Sequence, residues 1–232
     1  MWPAGRQPLR RCGMGKISVA IDGPAGAGKS SVARIAAERT GYVYLDTGAM
    51  YRAFTWAFLR ARTDLDDAAA VQRIVETTEI TAERDGVFVN GTDVTASIRE
   101  PAVSGHVSAV AALAPVREKL VQLQRKTAST GGVILDGRDI GTVVLPDAEL
   151  KVFLTASIAS RAKRRWLELR AKGGTESLAE IEANIAARDK MDSEREISPL
   201  REAADAVHID NSDMDLEETA DLLCRLIKER EA

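Results

Sequence analysis

The chain has 232 residues, of which 45% are hydrophobic and 29% are charged, and its net charge is −3. These values are typical of one well-buried domain with insertions, or of two small domains, and they exclude a disordered chain. The slightly negative charge argues against a nucleic-acid partner, and no apolar run approaches the length of a membrane span. Cys12 and Cys224 show no disulfide-framework or zinc-site spacing, so we expect a reducing compartment.

The first segment, residues 1–15, contains arginines but no apolar h-region, which argues against a secretory signal. Met14 stands directly before Gly15 and the first predicted strand. We therefore expect residues 1–13 to be either an extension from an upstream start or a disordered tail. A very short organellar presequence is the alternative.

A phosphate-binding loop follows the buried-strand pattern of Ile17–Ile21. The sequence GPAGAGKSS matches G-x-x-x-x-G-K-[ST] and leads into a helix predicted over Ser30–Thr40. Glycine lets backbone N–H groups approach a phosphate, Lys29 adds a charge, and the Ser30 hydroxyl suits Mg2+. A flexible Gly/Ala linker, the alternative, would not explain the lysine at the strand-to-helix junction. The predicted ATP-phosphate loop is Gly23, Pro24, Ala25, Gly26, Ala27, Gly28, Lys29, Ser30 and Ser31.

The next elements complete a βαβ unit. Gly41 is a natural helix stop, Tyr42–Leu45 has a strand pattern, and a helix is predicted over Ala49–Arg62. Between them, Asp46 and its neighbours leave the carboxyl end of a strand, where open α/β sheets bind ligands. An isolated arginine here is most often solvated, but beside a phosphate loop Arg52 becomes a candidate phosphate-binding residue.

The hydrophobic period then changes. After a predicted helix over Asp64–Thr78, alternating residues with two glycine-containing turns predict a small antiparallel meander over 79–95. Such a meander does not belong in a parallel core, so we predict an inserted lobe over roughly Thr63–Pro115. Helices are predicted over Ser104–Leu113 and Pro115–Thr130.

Core strands resume after the insert. Val133–Leu135 precedes Asp136, and a strand ending in acidic residues suits a Mg2+–nucleotide site, although the signal alone is weak. Two more strands are predicted over Leu150–Leu154 and Ala206–Asp210, and Leu216–Glu229 has the pattern of a closing helix. Strand and helix alternation with one inserted meander predicts an α/β fold with a five-stranded parallel sheet and two mobile appendages.

The second appendage combines a basic helix over Ser157–Arg170 with a segment over Leu178–Asp192. One-sided basic charge near a nucleotide site suits a lid, whereas a solvated face is the simpler interpretation. Arg188 and Asp192 stand at i and i+4 on one helix face, where they could also form a surface ion pair.

The other motifs and charged residues of the chain limit the class of reaction that the phosphate loop can serve. The chain contains neither the N-K-x-D and D-x-x-G strings of signalling GTPases nor the Ser-Gly-Gly signature of ABC-type ATPases. Closely placed guanidinium groups would offset the repulsion between two phosphates, which favours a phosphorylated acceptor. The arginines at predicted strand ends and helix starts are Arg52, Arg117, Arg138, Arg188 and Arg195.

Several further motifs resemble the bacterial-type cytidylate kinases, which are P-loop nucleoside monophosphate kinases. They are GPAGAGKSS, LDTGAMYR, VNGTDVT, SIRE, DGRDIGTVVLPDA and RDKMD, and the similarity extends over nearly the whole chain from Lys16. The resemblance implies transfer of the γ-phosphate of ATP to CMP or dCMP with Mg2+, in the cytoplasm and as a monomer. A uridylate- or adenylate-preferring kinase and a non-catalytic nucleotide sensor are the alternatives.

Carried over by residue, the resemblance implies catalytic roles for Lys29, Arg138 and Arg188. The lid would add Arg161 and Arg165 to the ATP site, and Mg2+ would bind Ser30, with Asp136 as a further candidate ligand. Ser108, Arg117, Asp139 and Arg195 would recognise cytosine, whose amino donor beside two acceptors needs an acceptor and guanidinium groups opposite it. The implied CMP-binding set is Asp46, Thr47, Tyr51, Arg52, Ser108, Arg117, Arg138, Asp139, Arg188, Asp192 and Arg195.

The same resemblance implies a division of the chain into a P-loop core, a nucleoside monophosphate-binding insert and a lid. The core would comprise 16–62, 131–156 and 193–232, the insert with its following helices 63–130, and the lid 157–192.

Overall fold

The computed structural model describes residues 15–83, 86–171 and 173–232. The expectations about the N-terminal extension and Cys12, and part of the first meander turn, lie outside the described residues. No helix in the described ranges has the length and apolar character needed to cross a membrane.

A parallel sheet forms the centre of the molecule, with strand order β2-β6-β1-β7-β8. The central strands β1 and β6 are almost completely buried, as strands covered on both faces must be. The predicted five-stranded parallel sheet is thus confirmed. Its strands are β1 (Ser18–Asp22), β2 (Val43–Asp46), β6 (Val133–Gly137), β7 (Leu150–Thr155) and β8 (Val207–Asp210).

The register brings acidic residues to one edge of this sheet. Asp22 pairs with Gly137, and Asp46 pairs with Asp136, so β1, β2 and β6 end together. The phosphate loop leaves β1 at this edge. Carboxylates and the loop therefore share the ligand-binding side of an open α/β sheet.

Helices cover both faces of the sheet. The described helices are α1 (Lys29–Thr40), α2 (Thr47–Ala61), α3 (Ala68–Thr77), α4 (Pro101–Ala112), α5 (Ala114–Ala128), α6 (Ile158–Ala171), α7 (Leu178–Glu194) and α8 (Leu216–Glu231). On one face α1 and α8 pack on Val19, Ile21 and Ile134. On the other, α2, α4 and α5 pack on Ala20 and Leu135, so successive strand residues feed opposite cores.

Local capping moves several helix boundaries from their predicted positions. Helix α2 begins at Thr47 rather than Ala49 because the Asp46 side chain accepts a hydrogen bond from Ala49 N. Helix α3 begins at Ala68 because Asp67 caps it in the same way, and α4 begins earlier than predicted because Pro101 occupies its first turn.

The predicted meander is present as a three-stranded antiparallel sheet of β3 (Ile80–Glu83), β4 (Gly86–Val89) and β5 (Thr92–Asp93). It packs on the main body, because Val87 and Val89 of β4 share a core with Phe54 of α2. Helices α6 and α7 instead pack on each other through a small cluster containing Ala162, Ile181 and Ile185.

Candidate active site

The phosphate loop joins β1 to α1 through a tightly bent backbone. Gly23 has a φ of 146°, and a Cβ built on it would lie 2.0 Å from the carbonyl oxygen of Leu154. Gly28 has a φ of 89° and precedes the first residue of α1. Since L side chains rarely adopt these conformations, the loop requires glycine at both positions.

Lys29 lies buried within its own loop. Its Nζ donates to the carbonyl oxygens of Gly23 and Pro24, both at 2.8 Å. Burial lowers the pKa of Lys29 to about 7, with a further lowering from the positive charge of Arg138 and a smaller one from Arg188. Arg138 follows β6, whose last residue pairs with Asp22 at the end of β1, so Arg138 and the phosphate loop leave the same end of the sheet. Arg188 lies one turn before Asp192 on α7, and Asp192 pairs with Arg138.

Ser30 and Asp136 meet beside the loop. The Ser30 hydroxyl donates to Asp136 Oδ2 at 2.8 Å, and the Tyr44 hydroxyl donates to Oδ1 at 2.9 Å. Burial raises the pKa of Asp136 to about 6. Hydroxyl and carboxylate oxygens are donors that Mg2+ accepts, so these two residues fit that ion.

Few side chains at this site are able to bind a metal ion. Within the described ranges, no group of three or more His, Cys, Asp or Glu residues could hold a metal. Mg2+ in nucleotide sites uses one or two protein oxygens together with substrate phosphates and water. The arrangement therefore suits a metal that arrives with a nucleotide, and not an all-protein metal cage.

Three arginines line the cleft next to Lys29. Arg52 donates to Ser104 Oγ at 2.8 Å, and burial, followed by the charge of Arg188, lowers the pKa of Arg52 to about 10. Arg138 donates through Nε to Asp192 Oδ2 at 2.8 Å. Arg188 Nε is buried with no hydrogen-bond partner among the described residues. Such a concentration of desolvated positive charge favours an anionic ligand.

The carboxylate of Asp192 partly neutralises the positive charge of these arginines. Burial by itself raises its pKa, but the positive charges of Arg138 and Arg188 outweigh burial and hold the pKa below the ordinary value. Its Oδ1 accepts from Ser108 at 3.3 Å. The predicted i, i+4 pair of Arg188 and Asp192 therefore faces the cleft, and Asp192 is not part of a solvated surface pair.

A second polar cluster is more deeply buried than Arg138. Arg117 forms an ion pair with Asp139, and Arg195 NH2 lies 3.6 Å from Asp139 Oδ1. The Arg117 guanidinium also lies over the Tyr51 ring, 5.5 Å from its centroid. Burial raises the pKa of Asp139, although both arginines partly offset the effect. The structure thus brings together three of the four residues expected to recognise cytosine, whereas Ser108 contacts Asp192.

Some expected ligand-binding residues make internal contacts. The Thr47 hydroxyl donates to the Asp136 carbonyl oxygen at 2.6 Å, and Asp46 caps α2 while pairing with Arg99 at 2.8 Å. In α6, Arg165 pairs with Glu168 at 2.8 Å.

Arg161, a residue of α6, connects the phosphate loop to α7. It donates to the carbonyl oxygens of Ala156 and Ala25, at 2.8 and 2.9 Å, and pairs with Asp189 of α7 at 2.7 Å. All three guanidinium nitrogens of Arg161 therefore have partners, and one of these contacts supports the phosphate loop at Ala25.

Sequence reasoning missed four residues near the site. Asp22 offered a signal, since it is an acidic residue at a strand end directly before the loop. Ser104 lies in α4 and contacts Arg52, and Arg99 lies just before α4 and contacts Asp46. Asn211 donates to the Ala27 carbonyl oxygen at 3.0 Å. These three have no local pattern that would have identified them.

A parallel sheet with a phosphate loop, an acidic residue beside the loop serine, and an arginine-lined cleft together define a P-loop kinase. A model of the family described as cytidylate kinase matches residues 19–229. The chain belongs to the cytidylate kinase family.

Individual relatives are similar over almost their whole length. Cytidylate kinase from Desulfitobacterium hafniense (strain Y51) is 49% identical over 92% of this chain and 94% of its own. Cytidylate kinase from Bacillus subtilis (strain 168) is 49% identical over 93% of this chain and 98% of its own. A solved structure of an uncharacterized protein from Eubacterium ventriosum ATCC 27560 shares the fold, with a TM-score of 0.50, 15% identity and coverage of 92% and 99%.

Proposed function

We propose that this chain transfers the γ-phosphate of ATP to CMP or dCMP, giving ADP and CDP or dCDP. The observation that carries the proposal is the position of Arg138, which follows β6 at the same end of the sheet as the phosphate loop and pairs with Asp192 of α7. The adjacent Asp139 belongs to the Arg117–Asp139–Arg195 cluster. A triphosphate and a phosphorylated acceptor can then meet at one edge of the sheet.

In this reaction an oxygen of the CMP phosphate attacks the γ-phosphorus of ATP, while the bond from that phosphorus to the β–γ bridging oxygen breaks and ADP leaves. Lys29 and the loop amides hold the ATP phosphates, and Arg52 and Arg138 hold the acceptor phosphate. Arg188, whose Nε has no partner among the described residues, supplies charge to the transferring group. These groups offset the repulsion between the two anionic substrates.

We propose Ser30 and Asp136 as the protein contacts of Mg2+. When bound with ATP, this ion would supply positive charge to the β- and γ-phosphate oxygens. Ser30 and Asp136 already contact each other, so their oxygens converge on one location beside the loop.

Cytosine recognition is assigned to the buried cluster. Asp139 accepts hydrogen bonds from the exocyclic amino group, and Arg117 and Arg195 donate to the ring nitrogen and carbonyl acceptors. Uracil presents an acceptor and a donor where cytosine presents a donor and an acceptor. It would leave buried charged groups unpaired, which is an effective way to reject a ligand.

ADP release, measured with ATP, Mg2+ and each of CMP, dCMP, UMP, AMP and GMP, tests the proposal. We expect CMP or dCMP to give the highest kcat/KM. Preference for UMP or AMP would overturn the base assignment in favour of a related kinase. ATP binding with no acceptor-stimulated ADP release would indicate a nucleotide sensor instead.

We also propose that the enzyme acts as a monomer, because a single chain supplies the phosphate loop, the arginines and the base cluster. Sedimentation analysis of the active enzyme should give the mass of one chain. Activity found only in a larger species would contradict this part of the proposal.

A further inference from the structure

Asp22 is a buried carboxylate with no role in the proposed chemistry. It is the last residue of β1, directly before Gly23 of the phosphate loop, and is 4% exposed. Its Oδ1 accepts from Ile140 N at 2.8 Å and its Oδ2 accepts from Gly141 N at 2.7 Å. Both oxygens therefore bind consecutive amides of a segment 118 residues further along the chain.

The segment that Asp22 holds is a π-helical turn, Ile140–Val144, which directly follows Arg138 and Asp139. Arg138 belongs to the acceptor-phosphate side of the cleft, and Asp139 belongs to the base cluster. The two amides thus fix the backbone at the point where both acceptor-binding side chains leave β6.

The approach of the two segments is close. A Cβ on Gly141 would lie 3.4 Å from Asp22 Oδ2 and 3.2 Å from Lys151 Cδ. Burial raises the pKa of Asp22 to about 6, while the two amide hydrogen bonds and Lys29 lower it and Asp139 raises it. A carboxylate is retained here despite burial, and only a group with two acceptor oxygens satisfies both amides.

The phosphate loop has side-chain supports other than Asp22. Its carbonyl oxygens are held by Lys29, by Arg161 at Ala25 and by Asn211 at Ala27. Loss of the Asp22 bonds would therefore release the acceptor side of the cleft more than the ATP side.

We infer that Asp22 is a positioning residue for the acceptor nucleotide: it fixes the turn after Arg138 and Asp139 against the strand that carries the phosphate loop. The inference rests on the proposed function. It adds to that function a structural contact, through Asp22, between the phosphate-loop side and the acceptor side of the site.

The test is steady-state kinetics of Asp22→Asn with CMP and ATP varied in turn. Asparagine offers one acceptor oxygen, so one buried amide loses its partner. We expect the KM for CMP to rise about tenfold or more and kcat to fall, while the KM for ATP changes by less than about threefold. The preference for CMP over UMP should also narrow.

Two further variants keep the test decisive. Gly141→Ala places a Cβ next to Asp22 and so disturbs the same contact. It should also raise the KM for CMP more than the KM for ATP, but by a smaller factor. Thr219→Val removes a buried hydroxyl of α8, whose hydrogen bond to the Asp215 carbonyl oxygen is remote from the cleft, and should leave both KM values unchanged.

Asp22→Asn or, if that variant does not fold, Gly141→Ala decides the matter. Unchanged KM for CMP, or an equal rise in both KM values, would overturn the positioning role. If the wild-type enzyme itself failed to phosphorylate CMP, the proposed function would fail, which is a distinguishable result.

Discussion

Lys29 is buried in the phosphate loop, where its Nζ donates to the carbonyl oxygens of Gly23 and Pro24, and we propose that it contacts the ATP phosphates. Replacing Lys29 with alanine should lower kcat by about two orders of magnitude or more, because charge stabilisation of the transferring group is lost. The coupled ADP-release assay measures this effect, with Lys228→Ala in the last turn of α8 as the control. An unchanged rate for the Lys29 variant would contradict the assigned role.

Asp139 is expected to determine the choice of base. Asp139→Asn replaces one acceptor oxygen with a donor, so the KM for CMP should rise and the preference over UMP should narrow. The change also weakens the partner of buried Arg117, so thermal unfolding must confirm that the variant is folded. If only the dependence on ATP changed, Asp139 would belong to the other half of the cleft.

The raised pKa of Asp22 predicts that the free energy of unfolding depends on pH. Its pKa is raised in the folded state from 3.8 to about 6, so the folded protein binds this proton more tightly than the unfolded chain does. The resulting contribution to stability is present below 3.8 and is lost as the pH rises through about 6.

Urea denaturation of the wild type and Asp22→Asn at several pH values measures this contribution. From pH 4.5 to 7, the free energy of unfolding of the wild type should fall relative to that of the variant by about 2 kcal/mol. A difference that does not vary with pH would show that the pKa of Asp22 is not raised.

At the residue scale, the phosphate-loop motif predicts chemistry from residues that are adjacent in the chain, as at Lys29 and Ser30. The resemblance also predicts Arg161 at the ATP site, and in the structure its side chain contacts Ala25, Ala156 and Asp189. Its contacts to Ala25 and Asp189 join different elements of the fold. No local pattern contains that information, and the roles of the ligand-binding residues stay predictions.

Among the elements, α7 is connected to the phosphate loop by the Arg161–Asp189 pair. Asp189→Asn weakens this pair and loosens the support of Ala25, so the KM for ATP should rise by about fivefold and more than the KM for CMP. Glu194→Gln is the matched control on the same helix, because its pairing with Lys190 is exposed and 4.0 Å long. An ATP dependence equal to that of the control would show that α7 does not support the loop.

Helix and strand identities followed from periodicity, and their ends followed from capping. The predicted stop of α1 at Gly41 is confirmed, because Gly41 has a φ of 69° and its N–H donates to the Ala37 carbonyl oxygen. The π-helical turn Ile140–Val144 was not predicted, since its hydrogen bonds to Asp22 depend on a strand more than a hundred residues earlier.

For the molecule as a whole, the alternation of strands and helices predicted a five-stranded parallel sheet, which is confirmed. The strand order was not predictable, because periodicity reports which residues are buried and not which strands are neighbours. The proposed domain boundaries, the cytoplasmic location and the monomeric state stay predictions. The proposed reaction requires that the predicted binding sites for the ATP phosphates and the CMP phosphate open into one cleft.

A compound that joins adenosine and cytidine through five phosphates tests that arrangement directly, because it can bind well only if both nucleotide sites open into one cleft. Initial-rate inhibition by this compound should be competitive against ATP and also competitive against CMP. Competition with only one of the two substrates would contradict a shared cleft.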